Sequence, residues 1–208
     1  MREIDKILID KLRTFSTCEL CDGLGIYSEN AVMDYDIKPM VTTKKIVGPA
    51  FTIKVPFGEG SLVADAIEQV KEGEVLVIAG NGNLKSSYWG DHRGICAKMQ
   101  KAEGVVIDGA FRDIDDCKEV GFPVYAKGVI PKTAGKTGAG ELQVSVSCGG
   151  IVVNPGDIVV GDRNGVIVIP IEKVEDAILK AQAKITAQQN TIRIMEQTNK
   201  VITKIKVF

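Results

Sequence analysis

The sequence predicts a layered α/β sandwich. Short apolar runs of the buried-strand type recur along the chain, as in Glu74-Val-Leu-Val-Ile-Ala79 and Val105-Val-Ile107. They do not alternate strictly with helical segments, which argues against a doubly wound sheet. From 151 to 169 three short strands follow one another, separated by Asn-Pro-Gly-Asp and Gly-Asp-Arg-Asn-Gly turns. A length of 208 residues suggests one domain over 1–208, closed by a C-terminal helix from about 172.

In chain order, Ile4, Ile7, Leu8 and Leu12 fall at helical spacing over 3–14, and Ser16 or Thr17 can cap a short helix ending near Gly23 and Gly25. Residues 26–42 read as irregular. Lys45 to Val55 reads as strand, and Ser61 caps a helix through Val70 with Leu62, Ala66 and Ile67 inward. After the strand at 74–79, Gly80-Asn-Gly-Asn83 reads as a turn that also walls the site; it matches neither a P-loop nor a dinucleotide fingerprint. Residues 114–120 form a short helix and Pro123-Val-Tyr-Ala a strand. The Gly-, Lys- and Thr-rich segment 131–140 can attract anions, but reads mainly as a surface or subunit-contact loop. Gln143 to Ser147 is a further strand.

Bulk properties exclude several classes. The chain is 45% apolar and 25% charged with a net charge of −1, so neither a nucleic-acid nor a membrane-surface partner is expected. No apolar run has transmembrane length, and Met1-Arg-Glu-Ile-Asp-Lys lacks the apolar core of a signal peptide, so a cytoplasmic location is expected. Five scattered cysteines do not form a secreted disulfide framework. Cys18-Glu-Leu-Cys21 has no strand leading into it and no second ligand pair, so it reads as two thiols on one helix face.

The segment from Trp89 to Asp113 carries the chemistry. Gly90 breaks the preceding segment, Asp91 reads as the N-cap of a helix from His92, and Ile95, Cys96 and Met99 give that helix an apolar face. About eleven helical residues carry the chain ~16 Å away, and about five strand residues bring it ~16 Å back. Asp91 should therefore meet Arg112 and Asp113 at one sheet edge, beside a helix N-terminus with free N–H groups. Two carboxylates and a guanidinium there would suit a metal and an anionic substrate. The plainer alternative makes both aspartates N-caps and Arg112 a solvated surface residue.

Asp91, twenty intervening residues and Arg112-Asp113 resemble the Asp-X20-Arg-Asp signature of the class II pyruvate aldolases. These are the 4-hydroxy-4-methyl-2-oxoglutarate aldolases, in the superfamily that also holds the regulator of ribonuclease activity A. Gly104-Val-Val-Ile-Asp-Gly-Ala-Phe-Arg-Asp113, Gly121-Phe-Pro-Val-Tyr125, Cys148-Gly-Gly150, Asn154-Pro-Gly-Asp-Ile-Val-Val-Gly-Asp162 and Gly165-Val-Ile-Val-Ile-Pro170 fit the same pattern. The likeness runs from about 15 to about 175. It implies a swivelling β/β/α sandwich, phosphohistidine-domain-like, assembled as a homotrimer or homohexamer. His92, the one histidine, sits inside the aldolase motif and reads as an exposed first-turn residue lending its backbone N–H.

The resemblance further implies a lyase that makes pyruvate through its enolate. Its substrates would be a 4-hydroxy-2-oxo diacid, cleaved by retro-aldol chemistry, or oxaloacetate, which loses carbon dioxide. By that likeness Asp113 holds a divalent metal cation, Mg²⁺ or Mn²⁺, and Asp91 orients a metal-bound water. Arg112 binds the keto or enolate oxygen, and the N–H groups of Gly90, Asp91, His92 and Arg93 take the substrate carboxylate. No lysine stands out for a Schiff base. The chain departs from the family pattern twice. Arg93 replaces a common apolar residue, and 183–193 carries no carboxylate where some relatives place a glutamate, Gln189 being the nearest counterpart. The other class consistent with the likeness is a non-catalytic regulatory binding protein.

Overall fold

The computed structural model of the chain describes residues 6–205. Helices α1 (Lys6–Arg13) and α2 (Thr17–Leu24) come first, then a 3₁₀ turn (Gly25–Asn30) and the short strand β1 (Lys38–Pro39). The middle of the chain runs β2 (Ile46–Lys54), α3 (Leu62–Gln69), β3 (Val75–Ser87), α4 (Asp91–Met99), β4 (Gly104–Phe111), α5 (Ile114–Val120) and β5 (Val124–Val129). Short strands β6 (Glu141–Leu142), β7 (Val146–Cys148), β8 (Ile151–Val153), β9 (Ile158–Asp162) and β10 (Gly165–Ile169) precede the long helix α6 (Val174–Thr198). Ile4, expected on the first helix, lies outside the described residues. Among those residues no helix is long and apolar enough to cross a membrane.

Strand and helix alternate strictly from 46 to 129, contrary to the sequence expectation, and the alternation stops only afterwards. β2, β3, β4 and β5 are neighbours in that order, and every pair is parallel. Crossovers of one hand that all advance the same way put their helices on one face. That face holds Val63, Ala66 and Ile67 of α3, Ala97 of α4 and Cys117 of α5, packed on Leu76, Ile78, Val105 and Ile107. The alternate residues Val75, Val77 and Val106 face the other way, against Val146, Cys148, Ile151 and Val153 of the β7–β8 hairpin. The layers are therefore hairpin, sheet and helices, the β/β/α order of the expected sandwich.

The sheet continues past β2 through antiparallel β9 and β10, giving the order β1-β5-β4-β3-β2-β9-β10. It nearly closes on itself. Lys38 Nζ, on β1, donates to the Asn164 carbonyl in the turn before β10, and residues 31–33 cover β10 through Met33 N to Val166 O (3.0 Å) and Val168 N to Ala31 O (2.8 Å). A third cluster packs α1, α2 and the first turns of α6 on Val160, Ile167 and Ile169.

Three local expectations need correction. Gly80–Asn83 does not end its strand, since β3 continues to Ser87 with register shifts against β4. The glycine serves a close approach: a methyl group at Gly80 would lie 2.5 Å from the ring of the buried Tyr88. Nor does this stretch border the candidate site described below. The inward face of α4 is Gly94 and Ala97, whereas Ile95 and Met99 are exposed. Here the helix comes close enough to put Val120, Trp89 and Phe122 within 3.8 Å of a β-carbon built at Gly94, so small residues are needed. Finally, the N-cap of α4 is Gly90, and Asp91 is its first residue.

Other local readings hold. Ser16 caps α2 in a reciprocal capping box with Glu19, whose N–H reaches Ser16 Oγ (3.2 Å) while its carboxylate accepts from Ser16 N (2.7 Å). Cys18 and Cys21 are free thiols on that helix. Burial above all pushes Cys21 up to about 11, so it is no ready nucleophile.

Candidate active site

The site lies where the parallel strands end. Tyr88 N donates to Ala110 O (2.9 Å) and Arg112 N to Trp89 O (3.0 Å), so the segments leaving β3 and β4 are zipped together. Trp89 is buried and stacks on Phe122 at 5.7 Å, a contact worth about 0.5–1.5 kcal/mol beyond its buried area. That anchor delivers Gly90 to the start of α4. No side chain caps this helix, so its first-turn N–H groups are open to an anion.

A cleft of about 210 Å³ opens here, and Gly90, Asp91, His92, Arg93 and Arg112 all line it. Asp113 stands directly behind, with Oδ2 2.9 Å from Arg112 Nε. A methyl group at Gly90 would lie 2.7 Å from the same oxygen. The chain thus brings the predicted residues together.

Neither carboxylate makes the capping bond that the plainer alternative expects. Asp113 stands at the N-cap of α5, but its side chain makes no capping bond. Its backbone is left-handed, at φ 57° and ψ 46°, a conformation that costs a non-glycine residue on the order of 1–3 kcal/mol and collects at functional sites. The Asp91 side chain does not cap α4 either. Both carboxylates act on the buried Cys117, whose thiol is pushed up to about 12 by burial first and then by Asp91, Asp113 and Asp116. Cys117 is therefore no ready nucleophile.

Arg93 has a structural task as well. Its guanidinium donates to the Tyr88 carbonyl and to Gly60 O (2.7 Å), tying α4 to the segment after β2. Burial, and then the nearby charge of Arg112, lower its pKa. His92 is exposed, with Nδ1 3.9 Å from Cys96 Sγ.

The donors fit a hard divalent cation. Among the described residues no three His, Cys, Asp or Glu side chains converge on one point, so a closed zinc site is absent there. Magnesium is commonly held by one or two carboxylates, keeping several waters. Asp113, 31% exposed and seated against the bare Cα of Gly90, and Asp91 in the cleft lining offer such oxygens.

Among the described residues no buried lysine lines the cleft for a Schiff base. Lys127 is tied to Asp34 (2.9 Å), Asp108 (3.0 Å) and Asp36 (3.6 Å). Burial works to lower its pKa, but those carboxylates raise it overall, so it stays charged. Lys45 gives its ammonium to the carbonyls of Leu12, Arg13 and Phe15. Neither lines the cleft.

Four lining residues were missed by sequence reasoning: Ser87, Trp89, Thr133 and Lys136. Thr133 and Lys136 come from the segment read mainly as a surface loop. Its Gly-Lys-Thr composition was the available signal. A larger cleft of about 490 Å³ lies around Lys54, Asn81, Glu141 and Ser147. Its charges, Lys54 and Glu141, pair with each other at 2.6 Å, so size does not mark the chemistry.

Comparison with known proteins identifies the family and the fold. The profile of the RraA-like family, described as aldolase/RraA, matches residues 17–168. A Halalkalibacterium halodurans protein provisionally named 4-hydroxy-4-methyl-2-oxoglutarate aldolase is 36% identical over 182 residues, covering 88% of this chain and 84% of its own. Among solved structures, an uncharacterised Pseudomonas syringae protein superposes with a TM-score of 0.80 at 26% identity, covering 97% of each chain. An RNA-processing inhibitor, RraA of Thermus thermophilis, superposes with a TM-score of 0.68 at 29% identity, covering 75% of this chain and 93% of its own.

Proposed function

The chain belongs to the RraA-like, aldolase/RraA family, and from that premise we propose that it is a divalent-metal-dependent carbon–carbon lyase producing pyruvate. Its substrates are 2-oxo diacids: oxaloacetate by decarboxylation, and a 4-hydroxy-2-oxo diacid by retro-aldol cleavage. The observation that carries this reading is the packing of Arg112, Asp113 and Gly90 at the uncapped start of α4, with Asp91 one residue on. A protein that only binds a partner has no need of a carboxylate held against a guanidinium at a helix N-terminus.

In this reading the first-turn N–H groups of α4, from Gly90 to Arg93, take the carboxylate next to the keto group. Arg112 spends Nε on Asp113 and turns its terminal nitrogens to the keto oxygen. Asp113, with Asp91 nearby, would hold Mg²⁺ or Mn²⁺, which would supply Lewis-acid polarisation of the keto group. When the bond beyond C3 breaks, its electron pair passes into the pyruvate enolate, and the Arg112 charge stabilises the oxygen on which it collects. Lys136 faces the second carboxylate. Decarboxylation asks for no additional base. Retro-aldol cleavage must also remove a hydroxyl proton, and residues 183–193 of α6 offer no carboxylate for that.

Metal removal is the test. Pyruvate release should cease in EDTA and return with Mg²⁺ or Mn²⁺. A lysine adduct trapped by borohydride would overturn this mechanism. Absence of turnover with a ribonuclease still bound would favour the regulator reading, which the Thermus likeness supports.

We also propose a homotrimer or homohexamer acting in the cytoplasm, where five unpaired thiols are at home. On α6 the described burial ends at Ala181, while Leu179, Ile192 and Ile194 are 70%, 45% and 48% exposed, apolar surface that a neighbouring copy would cover. Light scattering should give three or six times the 22.4 kDa chain mass; a monomer at micromolar concentration would refute it.

A further inference from the structure

Resting on the lyase reading, we propose that Glu59 is a positioning residue: its carboxylate clamps the segment around Lys136 so that this ammonium stays over the cleft. Glu59 is 5% exposed, on the loop after β2. Oε1 accepts from the N–H and hydroxyl of Ser61. Oε2 accepts from the N–H of Thr137 (2.7 Å) and its hydroxyl (2.8 Å). One side chain therefore joins two loops that are 78 residues apart.

The clamp brackets Lys136. On its N-terminal side, Gly135 N donates to Gly58 O (2.6 Å) and Gly60 N to Gly135 O (3.0 Å). A methyl group at Gly135 would press on Glu59 Oε2 at 3.3 Å, so the backbone passes close to the carboxylate. On its C-terminal side stand the two Thr137 bonds, and Gly138 N then reaches Ser61 Oγ (2.7 Å). Further back, Ser87 N donates to Lys132 O (2.8 Å) and Ala134 N to Ser87 O (3.1 Å). Lys136 thus has a fixed backbone and an exposed side chain at the cleft wall. No ion pair or hydrogen bond occupies its ammonium among the described residues, unlike Lys54, Lys101, Lys127, Lys180 and Lys184. An unpaired cation held at the rim suits the far carboxylate of a diacid.

The chemistry of the clamp requires a carboxylate. All four groups facing Glu59 are donors, and the hydrogen bonds from Ser61, foremost, hold its pKa down to about 2. Charge-assisted bonds of this kind are the strong ones. Glu59→Gln keeps the shape but turns one acceptor into an NH₂ group facing donors.

Two readouts test the proposal in the full-length protein. In hydrogen exchange, the Thr137 and Gly138 amides should open at least about tenfold faster in Glu59→Gln, with exchange in β4 unchanged. In steady-state turnover of oxaloacetate with Mg²⁺, Glu59→Gln should raise KM about tenfold, the scale of one lost charge contact, and leave kcat within about twofold. Lys136→Ala should match that rise, and the double variant should be no worse than Lys136→Ala alone. Unchanged exchange at Thr137 and Gly138, multiplying KM effects, or a loss confined to kcat would each overturn the proposal. If Glu59→Gln does not fold, Thr137→Val removes one donor and is read the same way. A wild type that releases no pyruvate defeats the lyase reading, and the exchange result then decides the clamp alone.

Discussion

Arg112→Ala is expected to lower kcat by about 10²–10³-fold, the usual scale for losing one preorganised charge stabiliser. The reason lies in how the guanidinium is divided. Nε is committed to Asp113 Oδ2 at 2.9 Å, and the side chain, 43% exposed, presents its other nitrogens to the cleft. Arg112→Lys should recover only part of the loss, because an ammonium is a point charge without the planar fork needed to hold Asp113 and the substrate oxygen together. Asp113→Asn should remove most turnover by a different route, raising the Mg²⁺ concentration needed for half-maximal activity. Pyruvate release measured across a Mg²⁺ titration separates the two: the Arg112 variants should lose the plateau, and Asp113→Asn should shift the midpoint. Near-wild-type turnover in both would remove Arg112 and Asp113 from the catalytic site.

Gly90→Ala is expected to lower activity by about 10²-fold, the scale of an ångström-sized misplacement at a reacting centre. Its φ of −164° and ψ of −175° are extended values open to any residue, so the added methyl group brings no backbone strain. It would instead sit 2.7 Å from Asp113 Oδ2 and 3.4 Å from Arg112 Cγ, and the carboxylate would have to move. The melting midpoint should change by no more than about 4 °C, since a contact at a half-exposed side chain can relax. Gly94→Ala, four residues along the same helix, is the control. Its methyl group would meet Val120 at 3.5 Å, an ordinary contact, and its activity should stay close to wild type. Equal losses in both variants would trace the effect to helix packing and away from Asp113.

The convergence of Asp91 with Arg112 and Asp113 was legible in the sequence, though for a partly different reason. Equal helix and strand excursions suggested it; the nine residues of α4 and eight of β4 do not match so neatly. What enforces it is the parallel pairing of β3 with β4, which puts the end of one strand beside the end of the next. The α2 cap was legible because Ser16 and Glu19 are local partners. The extension of β3 was not, because Gly80 looks like turn chemistry and only the folded chain puts the Tyr88 ring against it. Nor was the inward face of α4, since large apolar residues read as core until the interhelical distance is known. The part of 131–140 in the cleft wall was hidden for a similar reason. It depends on Glu59 meeting Thr137, and such a contact leaves no periodicity behind.

The near-closure of the sheet bears on solubility. An open sheet ends in rows of unpaired amides and carbonyls that can template strand-on-strand aggregation. Here one end is the two-residue β1, whose Pro39 has no N–H to give. At the other end, β10 has its outer backbone groups bonded by residues 31–33. Neither end offers a ladder for a second copy to extend. Association between copies at these two ends must then run through side chains, where charge and shape can choose the partner.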